Sequence, residues 1–209
     1  WSTSSAMALV SDPSEFAARV RRPIPSPVSR GAQEGTEFHL WVQEYYGQPS
    51  LFDGFDEFPD ADDVGGPGIG PANSDIAELR QRFVACGYAD RRPVAIEWPF
   101  SIVIGARVLT GQIDAVFASA DGGWEVVDWK TNARPDADPF QLAVYRVAWS
   151  RIKQVPPERI TGAFAYVRLG QVVRFPDLAD EQQLAARIEK ACALADESAG
   201  SGAIPTTSG

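Results

Sequence analysis

The stretch LTGQIDAVFASADGGWEVVDWKTN, residues 109–132, is typical of two β-strands joined by a tight turn. Both halves are rich in β-branched and aromatic residues, and the central Asp-Gly-Gly suits the positive φ angles of a hairpin turn. Asp114 and Asp128 each lie seven residues from Asp121. A turn centred on Asp121 therefore predicts that the two aspartates pair across the ladder, with their Cβ atoms about 5 Å apart on one face.

The strand period of two also places Lys130 on the face of Asp128, with Val127 and Trp129 on the other face. Opposed like charges destabilise a sheet pair by up to about 1 kcal/mol unless a cation lies between them. Carboxylate oxygens in this arrangement suit Mg²⁺ or Mn²⁺. The alternative is an ordinary Asp128–Lys130 surface pair with an unrelated acid nearby, but the apolar flanks in VVDWKT favour the metal site.

The rest of the chain supplies helices and further strands around this hairpin. Strands are predicted within 94–130, as two or three antiparallel strands, and in GAFAYVRLG and QVVRF, residues 162–175. Capping residues and apolar stripes predict helices from Asp12 to Pro23, from about Ser29 to Tyr46, from Asp75 to Cys86, from Asp138 to about Lys153, and over residues 180–195. This order predicts a mixed α+β (α/β) fold with a central mixed sheet flanked by helices.

We expect a single domain over 1–209 that has been cut from a larger chain. Residues 1–93 form a helical part that contains an acidic loop at 52–73, residues 94–175 carry the sheet, and residues 176–209 form a last helix and tail.

The net charge of −9 argues against a surface that attracts nucleic acid everywhere. Six acidic residues fall within 53–63, which leaves about −3 for the rest of the chain. The Gly/Pro-rich continuation favours a solvated loop for this stretch over a cation site or DNA mimic. With two distant cysteines and no long apolar run, we expect a cytoplasmic protein without a membrane segment.

Four elements in one order give the sequence its resemblance to a known family. They are GTEFH at 35–39, GQID at 111–114, VVDWK at 126–130, and Gln141 followed four residues later by Tyr145. Together they resemble the RecB-like branch of the PD-(D/E)xK nucleases, which implies a restriction-endonuclease-like core. The opening DPSEFAARVRRPIP, with QLAVYRVAW and AFAYVR, is most similar to the C-terminal nuclease domain of actinobacterial AdnAB-type helicase-nucleases, with the B subunit as a candidate.

The resemblance implies a role for each matched residue. It makes Lys130 catalytic together with the two aspartates, and it gives Gln141 and Tyr145 a supporting or DNA-contacting role. The implied metal ligands are His39, Asp114, Asp128 and the backbone carbonyl of Trp129. Judged by itself, His39 would more often be a structural residue than a ligand. Glu97 in VAIEWPF is a further acid that we do not include in the predicted site.

The resemblance also implies a Mg²⁺- or Mn²⁺-dependent deoxyribonuclease that acts on single-stranded DNA. The strand would be fed by a helicase motor in the same polypeptide, with a partner helicase-nuclease subunit, during the processing of DNA breaks. No cysteine cluster is present, so we expect no iron-sulfur centre in these residues. No GxxxxGK motif is present either, so any ATP hydrolysis would belong to the motor.

Two other functions remain open. The domain could be a nuclease fold that has lost catalysis and serves as a docking module in a helicase complex, although such a module has no need for opposed carboxylates. It could also hydrolyse small phosphoesters, which would require a deep pocket.

Overall fold

A computed structural model describes residues 1–22, 29–47 and 73–200. Its five strands are β1 (Ala95–Ile104), β2 (Arg107–Ala118), β3 (Trp124–Lys130), β4 (Ile160–Tyr166) and β5 (Gln171–Phe175). Its helices are α1 (Thr3–Ser11), α2 (Pro13–Arg21), α3 (Arg30–Tyr45), α4 (Asn73–Ala85), α5 (Phe140–Lys153) and α6 (Glu181–Gly200).

Side-chain caps fix where two of the predicted helices begin. Asp12 accepts a hydrogen bond from the Glu15 N–H at the start of α2, and Ser29 accepts one from the Ala32 N–H at the start of α3. Helix α1, capped by Ser2, was not predicted. Its apolar residues form one unbroken run, 6–10, which shows no helical period, and the helix is stabilised by burial of Ala6 and Leu9.

The strands form one mixed sheet in the order β1-β2-β3-β4-β5. Strands β1, β2 and β3 are antiparallel to one another in turn, β4 runs parallel to β3, and β5 is antiparallel to β4. The parallel pair needs a crossover, and α5 provides it. The predicted mixed α+β fold with a restriction-endonuclease-like arrangement is confirmed.

Apolar side chains cover both faces of the sheet. One cluster joins Ile113, Val116 and Val126 to α5 and α6 through residues such as Trp149 and Ile188. The opposite cluster holds Val127 and Trp129 against side chains of α3 and α4, listed as Phe38, Val42, Leu79 and Phe83. The sheet is therefore the middle of three layers, and both helical layers rest on β3.

The hairpin has the predicted register. Strands β2 and β3 pair from Ala118↔Trp124 to Ala115↔Val127, and the turn between them is centred on Asp121. Asp114 and Asp128 are the next positions in this register, but the regular pairing ends one step before them. Their carboxylates therefore lie where the two strands begin to separate.

Strands β1 and β2 change their inside-outside alternation at one shared point. Ile113 and Val116 are three residues apart yet pack in the same cluster, as do Ala95 and Phe100, which are five apart. An unbroken period of two would put the members of each pair on opposite faces. The shift occurs where Glu97, with φ 43°, lies opposite Asp114, between the pairs Ile96↔Ala115 and Trp98↔Ile113.

The acidic stretch at 53–63, Pro23 and the end of the predicted tail lie outside the described residues. No helix in the described part of the chain is both long enough and apolar enough to cross a membrane.

Candidate active site

Three acidic residues occupy neighbouring positions across β1, β2 and β3. Glu97 lies opposite Asp114 in the β1–β2 register, and Asp114 lies opposite Asp128 in the β2–β3 register. Asp114 and Asp128 are buried, and Glu97 is largely buried. The sequence motifs identified two members of this row but not Glu97, because no spacing rule links Glu97 to the others until β1 and β2 are paired.

His39 lies beside this row of acids and belongs to α3, in the helical layer formed by α3 and α4. Phe38 and Val42 anchor α3 in the core, and this places the imidazole beside the carboxylates. The distance from His39 Nδ1 to Glu97 Oε1 is 3.0 Å, and the distance from the same nitrogen to Asp114 Oδ2 is 3.7 Å. One oxygen of each acid and a nitrogen of His39 all lie within 4.8 Å of one another, so these three residues could hold a metal ion.

The crowding of carboxylates shifts the pKa values of the site. Burial would lower the pKa of His39, but the charges of Asp114, Glu97 and Asp128 outweigh it and raise the pKa to about 10. Burial, helped by the charge of Asp114, raises the pKa of Asp128 to about 7. Burial is also the main cause of the raised pKa of Asp114. The site therefore favours positive charge among its acids, either as a proton or as a cation.

Lys130 supplies one of those charges to Asp128. Its Nζ lies 2.7 Å from Asp128 Oδ2, on the predicted face of β3. Asp128 is 2% exposed, and its Oδ2 makes no hydrogen bond of good geometry even so. The nearby ammonium neutralises this carboxylate without a well-aligned hydrogen bond, so the carboxylate keeps lone pairs that a metal ion can use. Asp128 lies outside the tight group formed by His39, Glu97 and Asp114.

The backbone of Trp129 contributes through its amide. The Trp129 N–H donates to Asp114 Oδ2 at 2.9 Å, so the aspartate takes the place of a ladder acceptor where the β2–β3 pairing ends. In a strand, the N–H and C=O of one residue point to the same side. The Trp129 carbonyl therefore lies on the side of Asp114, and its role as a metal ligand stays a prediction.

Gln141 and Tyr145 connect the lysine to the central aspartate. Lys130 Nζ donates to Gln141 Oε1 at 2.8 Å, Gln141 Nε2 donates to the Tyr145 hydroxyl at 2.9 Å, and that hydroxyl donates to Asp114 Oδ1 at 3.2 Å. Tyr145 is 3% exposed, which leaves no surface for DNA. The geometry therefore favours a supporting role for Tyr145 over contact with DNA. Gln141 is only half-buried, so both a supporting role and contact with DNA stay open for it.

Comparisons with known proteins bear on the family of this chain. No curated protein matches the chain. One solved structure that matches is the crystal structure of SSO0001, which is 18% identical over 88% of this chain and 74% of that chain. The TM-score of this match is 0.39. Residues 1–208 match the family described as the PD-(D/E)XK nuclease superfamily, and the chain therefore belongs to that superfamily.

Proposed function

We propose that this domain is a divalent-metal-dependent deoxyribonuclease that hydrolyses phosphodiester bonds of single-stranded DNA. The observation that carries the proposal is the row of three acids with His39 on one side and Lys130 on the other. Membership in the superfamily supports a nuclease that binds DNA. The metal, the preference for single strands and the individual roles of residues are part of the proposal.

His39, Asp114, Asp128 and the carbonyl of Trp129 would hold Mg²⁺ or Mn²⁺. The buried carboxylate of Asp128 and the carboxylate-rich surroundings of His39 fit a divalent cation. When bound there, a divalent cation supplies charge neutralisation for the scissile phosphate and favours deprotonation of the attacking water.

Lys130 would act on the substrate directly. An ammonium group has three N–H donors, and its neighbours Asp128 and Gln141 can take two of them. The third can donate to the attacking water or to a phosphate oxygen, where it stabilises the charge that develops on phosphorus. Gln141 fixes the direction of that donor, because it holds the ammonium from the α5 side.

We further propose that the domain works with a helicase motor in the same polypeptide and a partner helicase-nuclease subunit of the AdnAB type, in the cytoplasm, during the processing of DNA breaks. The net charge of −9 implies weak DNA affinity for the isolated domain. A tethered motor would offset this by raising the effective concentration of the strand at the site.

The first test is the cleavage of end-labelled single-stranded DNA in Mg²⁺ or Mn²⁺, with Asp128→Ala beside the native domain. The matched control is Asp196→Ala, which removes an exposed aspartate of α6. We expect cleavage by the native domain and the control, and none with Asp128→Ala or with EDTA.

Duplex DNA and a small phosphodiester are the comparison substrates. A native domain that is inert with both metals, alone and joined to its motor, would support the docking module instead. Cleavage of the small phosphodiester but not of DNA would support the small-substrate hydrolase.

A further inference from the structure

Glu97 has a backbone conformation that a strand residue rarely adopts. Its φ is 43°, and the only other described non-glycine residue with positive φ is Gln154, which follows the end of α5. The left-handed region costs a non-glycine residue about 1–3 kcal/mol, and such positions cluster at functional sites. Here it is the third residue of a ten-residue strand, inside the paired region of β1 and β2. Glycine would adopt this backbone conformation at lower cost, so the presence of a glutamate here points to a role for its side chain.

The Glu97 carboxylate lies on the same edge of the imidazole as Asp114. His39 Nδ1 is the nitrogen that is 3.0 Å from Glu97 and also the nitrogen that is 3.7 Å from Asp114. A residue that only oriented a metal-binding histidine would contact the ring nitrogen that faces away from the metal. Glu97 instead contacts the nitrogen that faces the acids.

We propose that Glu97 is a direct ligand of the divalent metal, together with His39 Nδ1 and Asp114. This rests on the proposed function, because it assumes a divalent metal in the site. Ligands at neighbouring corners of an octahedral Mg²⁺ or Mn²⁺ site lie about 3 Å apart. In the metal-free protein His39 Nδ1 and Glu97 Oε1 form a hydrogen bond, and its length of 3.0 Å equals the separation of two such ligands.

The change of inside-outside alternation in β1 and β2 explains how Glu97 and Asp114 can bind the same ion. The alternation of both strands changes where these two residues lie opposite each other, and both carboxylates meet the same nitrogen of His39. The strained φ of Glu97 therefore costs free energy locally but directs a third carboxylate towards the metal.

The first test measures Mn²⁺ binding by the loss of the electron paramagnetic resonance signal of free Mn²⁺. The proteins are the native domain, Glu97→Gln, and Glu37→Gln as a control that removes an exposed glutamate from the helix that carries His39. We expect Glu97→Gln to raise the Kd at least about tenfold, which is the low end of the loss seen even for indirect partners of a metal. Glu37→Gln should stay within about twofold of the native Kd.

The outcomes separate this inference from the proposed function. Native binding with Glu97→Gln at the native Kd would overturn the ligand role and leave the metal-dependent nuclease intact. Failure of the native domain to bind Mn²⁺ would overturn both. Because weaker binding could also come from an indirect partner, a crystal structure with Mn²⁺ decides the point. A Glu97 oxygen within about 2.3 Å of the ion is the expected result, and an ion bound only on the far nitrogen of His39 would overturn the ligand role.

A second readout uses thermal unfolding of Glu97→Gly. In EDTA this variant loses the strained φ but also loses the Glu97 contact that helps to raise the pKa of His39, so the metal-free melting temperature of each protein serves as its own baseline. Saturating Mn²⁺ should raise the melting temperature of the native domain more than that of the variant. An equal rise in both proteins would contradict the ligand role.

Discussion

The hydroxyl of Tyr145 donates to Asp114 Oδ1 at 3.2 Å and accepts a hydrogen bond from Gln141 at 2.9 Å. Gln141 in turn accepts from Lys130, so one turn of α5 links the central acid of β2 to the lysine of β3. The oxygen of Asp114 that faces Tyr145 is thereby held, and the other oxygen is held by the Trp129 amide. A substitution in this turn of α5 should therefore affect the positions of both Asp114 and Lys130.

We expect Tyr145→Phe to lower the cleavage rate about 10- to 100-fold, which is the usual effect of losing a partner that orients a metal ligand. The phenyl ring still fills the space, so the free energy of unfolding should fall by only about 1–2 kcal/mol. Single-turnover cleavage and urea unfolding measure the two effects. Tyr46→Phe is the control, because Tyr46 donates at 2.8 Å to the Tyr88 carbonyl, outside the site. If both variants keep the native rate, Tyr145 has no positioning role.

Lys130→Met should abolish detectable cleavage and also destabilise the metal-free domain at neutral pH. Asp128 is 2% exposed and loses its paired ammonium, and removing one partner of a buried pair costs about 3–5 kcal/mol. Burial already raises the pKa of Asp128 to about 7, so protonation will reduce part of this cost. Addition of Asp128→Asn should restore most of the stability but no cleavage. A single variant as stable as the native domain would show that the pair contributes nothing to folding.

The metal-free domain should lose stability as the pH rises. The pKa of Asp128 is raised to about 7 in the folded state, so the folded protein binds more protons than the unfolded one between pH 4 and pH 7, and stability falls with pH there. The pKa of His39 is raised to about 10, so its stabilising contribution is complete below pH 6.5 and is lost towards pH 10. Thermal unfolding in EDTA from pH 5 to pH 9 measures both slopes.

Two comparisons test the origin of that pH dependence. Asp128→Asn should flatten the slope below pH 7 and reduce the slope above it only in part, because Asp128 is the smallest of the charges that raise the pKa of His39. With Mn²⁺ present, the gain in melting temperature should grow with pH, because the metal binds the deprotonated groups. A gain that shrinks with pH would contradict the assignment of these residues as ligands.

Glu125 provides a charged cluster that should affect folding but not cleavage. It is 6% exposed and lies 2.7 Å from Arg91 and 2.8 Å from Arg174, near the turn end of β3. We expect Glu125→Gln to lower the free energy of unfolding by about 1–2 kcal/mol, since both arginines are partly exposed and water can replace the lost partner. Cleavage under stable conditions should be unchanged. A loss of activity at native stability would place a functional role at this end of the sheet.

Local patterns were enough for most of the elements. The caps at Asp12 and Ser29, the apolar stripes of α3 and α4, and the symmetric hairpin about Asp121 each depend on neighbours in the chain. Such signals act over one helical turn or one strand pair, so they can be identified without the tertiary structure. Helix α1 was missed because its apolar residues show no helical period and its stability comes largely from packing against α2 and α6.

The sequence by itself determined that Asp114, Asp128 and Lys130 meet, because a two-residue period and one turn fix their relation. Only the tertiary structure decided that Glu97 joins them, since that requires the pairing of β1 with β2 and a left-handed residue that no local rule favours. It also decided that Tyr145 is buried against Asp114, because that depends on how the crossover helix packs on the sheet. Contacts between distant segments follow from packing in three dimensions, and spacing along the chain does not encode them.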